Sequence, residues 1–384
     1  MSPLRLIIAV GIVAAAVVAA ATSAPGQRAD AGASDGSEQV LTLLRDGRLL
    51  AISAATGEVT AGIRTGSRAE AAEARRSLAL SADGRTLAVL SPFGTGRQSI
   101  FVVDPQGLRV TARIALPRTT AYQDIAIGPR SGRLYVFGIA PAPRKGRDES
   151  AAPTVTVVDP ASRKVVRSRS VRARAGHYWY IFDALISADE SYALTSYHGG
   201  CTPQHAGLCT TGADVVELPS LRRRSCTGAA SAGVGCLSKV HGFLDRYADG
   251  ALAATGSAEI LRLDRSARVV GSYSAGIDDH LLQVAGDAAH GRVYVLAECL
   301  GRRGLSVIDA VTGEAHVIGQ AASPRLCGHR IATAPSGAVV LAQATLKGGR
   351  QTDPRLLLLD PTRDQVIRTV DLPSFPLDVL ALGR

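Results

Sequence analysis

Short runs of alternating apolar and polar residues, separated by turns, fill most of this chain of 384 residues. The clearest runs end in aspartate and proline: residues 100–105 read IFVVDP, and residues 155–160 read VTVVDP. Counting weaker copies, the fifth residue of the run recurs at positions 53, 104, 159, 218, 264, 309 and 360. Self-similarity at a period of about 45–50 residues indicates a repeat architecture.

Each repeat also contains a hairpin whose turn is rich in Gly, Asp and Ser, as in residues 78–89 and 125–136. With the run itself and the β-rich segment after it, each repeat offers four short strands bounded by turn-forming residues. Four strands per repeat, without a convincing helix, is typical of a β-propeller blade. The sequence therefore predicts an all-β fold, a seven-bladed β-propeller of four-stranded antiparallel blades.

The two ends of the repeat region predict how the ring closes. Residues 39–65 contain strands two to four of a blade with no first strand before them, and residues 377–384 read as a lone first strand. Together they complete one blade. We therefore expect the C-terminal strand to join the N-terminal blade.

The amino-acid sequence of the repeat resembles that of the YVTN family of seven-bladed propellers, which occur in exported and surface-layer proteins. The segments LSVIDAVTG at residues 305–313 and GRLYV at residues 132–136 are close to that family's unit. The resemblance covers nearly all of residues 39–384 and is weakest in blades four and five, where Leu218 and Tyr247 replace expected turn residues. It implies an architecture and no particular activity, because propellers host binding modules and enzymes alike.

The pattern differs ahead of the repeats. Arg5 is followed by an apolar run over residues 6–21 and then by small residues, which is typical of a secretory signal peptide. We predict a signal peptide or N-terminal anchor over residues 1–24, a disordered spacer over residues 25–38 and the propeller over residues 39–384. The expected location is extracytoplasmic, secreted or in the cell envelope.

Charge narrows the choice of partner only slightly. The formal net charge is +10, but the arginines look scattered along the chain and aromatic residues make up only 4%. A nucleic-acid-binding face is expected to concentrate basic residues among aromatic ones. We therefore expect no specific nucleic acid, an unknown protein or cell-envelope ligand as partner, and membrane contact only through an uncleaved N-terminal anchor.

Most histidines map to one face of the predicted ring. This upper face is formed by the loops between second and third strands and by the connections between blades, and six of eight histidines fall there: His177, His198, His205, His241, His280 and His329. The last three precede the first strands of blades five to seven, beside the mouth of the channel. Equivalent positions in the other blades are predicted to hold Arg76, Asp124, Asp183 and Asp378.

A rim of His, Asp and Arg, including Asp279 and Arg330, could bind a cation or an anionic ligand, or supply a general acid and base. The alternative is a wet channel with an ordinary polar rim. The segment HYWYIFD, residues 177–183, adds Tyr178, Trp179 and Tyr180 in a predicted upper connection, either as ligand contacts or as packing between blades three and four. The sequence shows no nucleophile elbow on a strand-to-helix turn. It also shows no phosphate loop and no His-x-His pair, so neither a cofactor nor a metal is predicted.

The six cysteines form an even set, which favours disulfides in an exported chain. The preferred pairing is sequential: Cys201–Cys209, Cys226–Cys236 and Cys299–Cys327. The main alternative exchanges partners between the first two of these pairs. These bonds would brace the upper face of blades four to six. The stretch HGGCTPQHAGLC, residues 198–209, has the spacing of a zinc site, but its thiols are then expected to bond to each other.

Three functions remain open. The leading hypothesis is a binding or scaffold module that acts through the disulfide-braced upper face. The first alternative is a lyase or hydrolase that takes its acid and base from His241, His280, His329 and neighbouring aspartates. The second alternative is a copper- or zinc-binding propeller that uses the same histidines.

Overall fold

The computed structural model describes residues 38–66, 77–91, 98–140, 152–171, 178–201, 209–224, 240–277, 282–297, 304–318, 330–347, 350–363 and 365–383. Within these ranges the chain is built from strands, which form seven four-stranded antiparallel blades. The prediction of a seven-bladed propeller is confirmed. Within this described part, no helix is long and apolar enough to cross a membrane.

The first blade joins the two ends of the propeller and consists of β28 (Pro376–Leu382), β1 (Gln39–Leu44), β2 (Arg48–Ser53) and β3 (Val59–Arg64). Blade two consists of β4 (Leu78–Leu80), β5 (Leu87–Leu90), β6 (Ser99–Asp104) and β7 (Arg109–Ala115). Blade three consists of β8 (Ala121–Ile127), β9 (Leu134–Ala140), β10 (Ala152–Asp159) and β11 (Lys164–Ser170). Blade four consists of β12 (Tyr178–Ile186), β13 (Tyr192–Cys201), β14 (Cys209–Glu217) and β15 (Arg222–Arg223).

Blade five consists of β16 (Val240–Tyr247), β17 (Gly250–Thr255), β18 (Glu259–Leu263) and β19 (Val269–Ser274). Blade six consists of β20 (Leu282–Asp287), β21 (Arg292–Ala297), β22 (Leu305–Asp309) and β23 (Ala315–Ile318). Blade seven consists of β24 (Arg330–Thr333), β25 (Val339–Lys347), β26 (Arg350–Asp360) and β27 (Gln365–Asp371). A short parallel pairing of Gly242 with Leu282 joins the first strands of blades five and six.

Closure of the ring follows the predicted scheme. β28 pairs antiparallel with β1, with Val40 opposite Ala381 and Thr42 opposite Val379. The first strand of each blade packs against the first strands of the blades on either side, and β28 lies between β24 and β4 in this circle. The last strand of the repeat region therefore completes the ring.

The core lies between the blades. One cluster packs Leu41 and Leu49 of blade one against Leu78 and Leu87 of blade two, and the other six clusters follow the same plan. The middle strands are covered on both faces by neighbouring blades, so β1 and β2 are apolar almost throughout. The fourth strands have one face on the core and one in solvent, which explains the alternating burial along β7.

Candidate functional site at the channel mouth

Aspartates on the first strands link several blades to the blade that follows. Asp124 Oδ2 accepts a hydrogen bond from the backbone N–H of Ala184 at 3.0 Å, and Asp183 Oδ2 accepts one from Leu244 at 2.9 Å. Each carboxylate lies on one blade and its donor on the first strand of the following blade. Hydrogen bonds of this charge-assisted kind hold the first strands in a fixed register.

The same link closes the ring between blades one and two. Asp378 Oδ2 accepts hydrogen bonds from the backbone N–H groups of Ser77 at 2.7 Å and Leu78 at 2.8 Å. Its second oxygen accepts from Val379 N at 2.9 Å. Asp378 is buried, with 4% of its surface exposed, so these bonds are shielded from water.

These bonds and the pairing of first with second strands align seven equivalent positions in one layer near the upper end of the channel. We call this layer the channel-mouth ring, and its members are Ser77, Asp124, Asp183, Phe243, Gln283, Arg330 and Asp378. All seven lie at or near the start of a first strand, where the chain enters the blade from the upper face.

A cavity of about 170 Å³ lies within this layer. Five members of the channel-mouth ring line it: Asp183, Phe243, Gln283, Arg330 and Asp378. One layer lower, Asp245 also faces the cavity, and its Oδ2 accepts a hydrogen bond from Gly286 N at 2.8 Å. Polar groups of both charges therefore converge with one aromatic ring on a small volume.

Arg330 is the cation in the cavity wall. Its guanidinium carbon lies 4.8 Å from the centroid of the Phe243 ring, and its Nε lies 3.4 Å from Asp378 Oδ1. The residue is only 9% exposed. A cation–π contact and an ion pair together hold this charge in a position facing the channel.

A second arginine narrows the lower end of the channel. Arg246, three residues below Phe243 on β16, donates from Nε to the carbonyl of Ile186 at 3.2 Å and from Nη2 to that of Ile127 at 3.5 Å. These carbonyls belong to the first strands of blades four and three. Arg246 therefore bridges three blades beneath the cavity.

The predicted site residues divide into three groups. Asp183 and Arg330 line the cavity. Tyr178, Trp179, Tyr180, His198 and His241 are placed by backbone only, in β12, β13 and β16. The remaining residues lie outside the described ranges: His177, His205, Asp279, His280, His329, Cys226, Cys236, Cys299 and Cys327.

Two local predictions are corrected by the strand bounds. Tyr178 to Tyr180 were expected in an upper connection, and His198 in a loop, but β12 and β13 extend upwards and pair Tyr178 with Gly199. Cys201 and Cys209 consequently stand opposite each other at the ends of β13 and β14. This register matches the sequential pairing, which itself stays a prediction.

The membership of the ring also differs from the prediction in four blades. Blades two, five, six and seven were expected to present Arg76, His241, His280 and His329, whereas the described ring positions are Ser77, Phe243, Gln283 and Arg330. β16 has a register irregularity between Val240 and Leu244, which moves the ring position along the strand. Of the missed residues, Gln283 precedes the buried pair Val284 and Ala285 and could have been found from that pattern, whereas Phe243 is followed by Leu244 and the polar Asp245, so no such signal marks it.

No three His, Cys, Asp or Glu side chains within the described ranges are grouped closely enough to hold a metal ion.

A buried acidic residue lies away from the channel, on β14. Asp214 is 4% exposed at its side chain and forms an ion pair with Arg223, with Nε 2.8 Å from Oδ1. Burial raises the pKa of Asp214 from 3.8 to about 6, against the opposing effect of Arg223.

Comparison with known proteins supports the fold but does not show an activity. No family model and no curated protein matches the chain, so the resemblance to YVTN repeats stays a prediction. Among solved structures, a periplasmic gluconolactonase of Pseudomonas aeruginosa is similar with a TM-score of 0.60 and 17% identity, over 90% of this chain and 99% of that one. The chain has a β-propeller fold.

Propellers with other roles match in the same way. A hydrazine synthase of Kuenenia stuttgartiensis has a TM-score of 0.54 and 16% identity, over 80% of this chain and 89% of that one. The Swd1 propeller domain of Myceliophteria thermophila has a TM-score of 0.51 and 12% identity, over 83% of this chain and 90% of that one. At such identities the likeness concerns architecture alone.

Proposed function

We propose that the protein is an exported ligand-binding propeller, and that its ligand is a small polyhydroxylated molecule held in the channel-mouth cavity. The observation that carries this proposal is the convergence of Asp183, Phe243, Gln283, Arg330 and Asp378 on one volume of about 170 Å³. Pockets for drug-sized ligands measure about 300–1,000 Å³. The cavity therefore suits a ligand on the scale of a single sugar.

The wall chemistry is complementary to hydroxyl groups. Carboxylate oxygens of Asp183 and Asp378 accept hydrogen bonds from ligand hydroxyls, while the Gln283 amide and the Arg330 guanidinium donate to ligand oxygens. Phe243 supplies an apolar surface for C–H groups. The carboxylates are already oriented by backbone N–H groups of the next blade, so the ligand meets a site that needs little reorganisation.

A second candidate is an enzyme acting on a lactone or a related sugar derivative. It is favoured by the structural likeness to a gluconolactonase across that protein's full length and by acidic groups beside Arg330. However, Asp378 already accepts three backbone N–H bonds, and Asp183 accepts two. These contacts hold both carboxylates in the frame of the ring, which favours binding as the primary role.

Calorimetry with glucose, gluconate and glucono-1,5-lactone tests the proposal. We expect saturable binding of at least one probe and a loss of affinity of about tenfold or more in both Arg330→Met and Phe243→Leu, at roughly 1.4 kcal/mol per factor of ten. Ser336→Ala, in a lower turn, is the matched control and should bind as the wild type does. If no probe binds, or all three variants bind equally well, the cavity is not the ligand site.

Hydrolysis of the lactone in a pH-stat separates the two candidates. The binding role predicts a rate equal to the uncatalysed rate. Turnover that disappears in Arg330→Met would replace binding by catalysis as the primary role.

A further inference from the structure

Net positive charge is concentrated in one part of the ring. Residues 77–239 contain 20 basic and 11 acidic residues, and the rest of the chain contains 23 basic and 22 acidic residues. Within the described ranges the excess lies in blades two and three, which contain 10 basic and 4 acidic residues, whereas blade four contains 3 basic and 5 acidic ones. The arginines look scattered only when the chain is read as a line.

Burial sharpens this asymmetry. Asp124, one of the four acidic residues of blades two and three, is fully buried and engaged inside the propeller. Five of the ten basic residues lie on the outermost strands β7 and β11, which contain no acidic residue. The outer surface of blades two and three is consequently more positive than the residue count alone indicates.

Arginines in the middle of this surface contact neutral acceptors. Arg167 donates to the carbonyls of Pro219 at 2.8 Å and Ser220 at 3.1 Å, and Arg169 donates to the same Ser220 carbonyl at 2.9 Å. Arg113 lies over the ring of Phe101 at 5.3 Å. Carbonyls and an aromatic ring orient these guanidiniums without cancelling their charge, and two like charges converge on one oxygen.

In blades two and three, acidic residues stand beside the lower ends of the outermost strands. Asp104 stands opposite Arg109 and Asp159 opposite Lys164, next to the turns that lead into these strands. In blade four, by contrast, Asp214 pairs with Arg223 and Glu217 with Arg224. Uncompensated charge therefore runs along the middle of the outermost strands of blades two and three.

We infer that the outer surface of blades two and three binds an acidic polysaccharide that follows the circumference of the ring. A linear polyanion matches a charge distribution that passes from one blade to the next and ends where Arg167 and Arg169 contact the Ser220 turn of blade four. β7, β11 and β15 contain no aromatic residue on which bases could stack, which disfavours a single-stranded nucleic acid. The inference is independent of the channel-mouth ligand, because it concerns a different surface.

Fluorescence anisotropy with labelled heparin and polygalacturonate, measured over a range of NaCl concentrations, tests it. In the triple variant Arg113→Gln, Arg167→Gln, Arg169→Gln, we expect affinity to fall by about tenfold or more and the salt slope to fall by about three, roughly one per side chain. The control is a triple Arg→Gln variant in blades one, five and seven, at Arg64, Arg265 and Arg363, and its affinity should stay within about threefold of wild type.

A second variant guards against misfolding of the first. Arg109→Gln with Lys164→Gln alters exposed side chains of the same surface and should lower affinity and slope by less than the triple variant does, because Asp104 and Asp159 stand opposite these two residues. Equal losses in the cationic-surface and control triples, or binding insensitive to NaCl, would overturn the inference. So would tighter binding of oligo-dT, or of phosphatidylglycerol vesicles, than of both polysaccharides.

Discussion

Replacing Asp214 with asparagine is expected to stabilise the protein at pH 8. Burial raises the pKa of this carboxyl group from 3.8 to about 6 even though Arg223 is 2.8 Å away. The gap of about two pH units corresponds to about 3 kcal/mol, at roughly 1.4 kcal/mol per unit. This is the free energy that the folded state loses by keeping a charged carboxylate in an apolar setting.

The sign of the pH dependence follows from the direction of the shift. Because the folded state binds the proton more tightly than the unfolded chain, acidification through pH 6 and down to about pH 4 stabilises the wild type at this site. Asparagine is neutral throughout and removes this dependence. We expect Asp214→Asn to gain about 1–3 kcal/mol at pH 8, less at pH 6 and almost nothing at pH 4.

Urea unfolding of both proteins at pH 8, 6 and 4 measures the difference directly. Asp189→Asn is a control of opposite sign, because hydrogen bonds from Ser191 and Ser187 lower the pKa of Asp189 to about 2. That variant should lose stability at pH 8, and the loss should disappear as the pH falls towards 2. A destabilised Asp214→Asn protein at pH 8, with a difference that does not change with pH, would refute the reasoning.

Three further predictions concern the frame of the ring. Asp378→Ala should lower the free energy of unfolding by about 2–5 kcal/mol in urea titrations, because two N–H groups of the next blade lose their acceptor. A variant as stable as wild type would show that these hydrogen bonds do not stabilise the ring. Gly138→Ala should lower the melting temperature by several degrees, since its Cβ would lie 2.5 Å from the Ala121 carbonyl oxygen; an unchanged melting temperature would contradict this geometry. Non-reducing peptide mapping should recover Cys201 joined to Cys209, whose strands place them opposite each other; free thiols there would exclude the bond.

The architecture was predictable because each blade repeats the same local pattern. Runs such as residues 100–105 and 155–160 coincide with the ends of β6 and β10, and the split first blade followed from counting strands at the two ends. These features depend on alternation and turn chemistry, which neighbouring residues determine.

The site was harder to predict because it depends on exact register. An irregularity in β16 places Phe243, and not His241, in the channel-mouth ring. The distribution of charge in space is hard to predict for a related reason. Arginines 50 residues apart in the chain, such as Arg113 and Arg163, are brought near each other only when blades stack, as the bond from Arg163 to the Thr111 carbonyl shows.

The shared first blade has a consequence for how the protein reaches its folded state. β1 and β28 are separated by more than 300 residues, so the inner edge of β1 has no partner until the end of the chain has been made. Every other blade is complete in consecutive sequence and can form its sheet as it emerges. Pairing across such a separation is slow, because the entropy of closing a long loop is lost before any contact compensates for it. We therefore expect ring closure to be the last and rate-limiting step of folding, with an open arc of six blades as the species most exposed to aggregation and proteolysis.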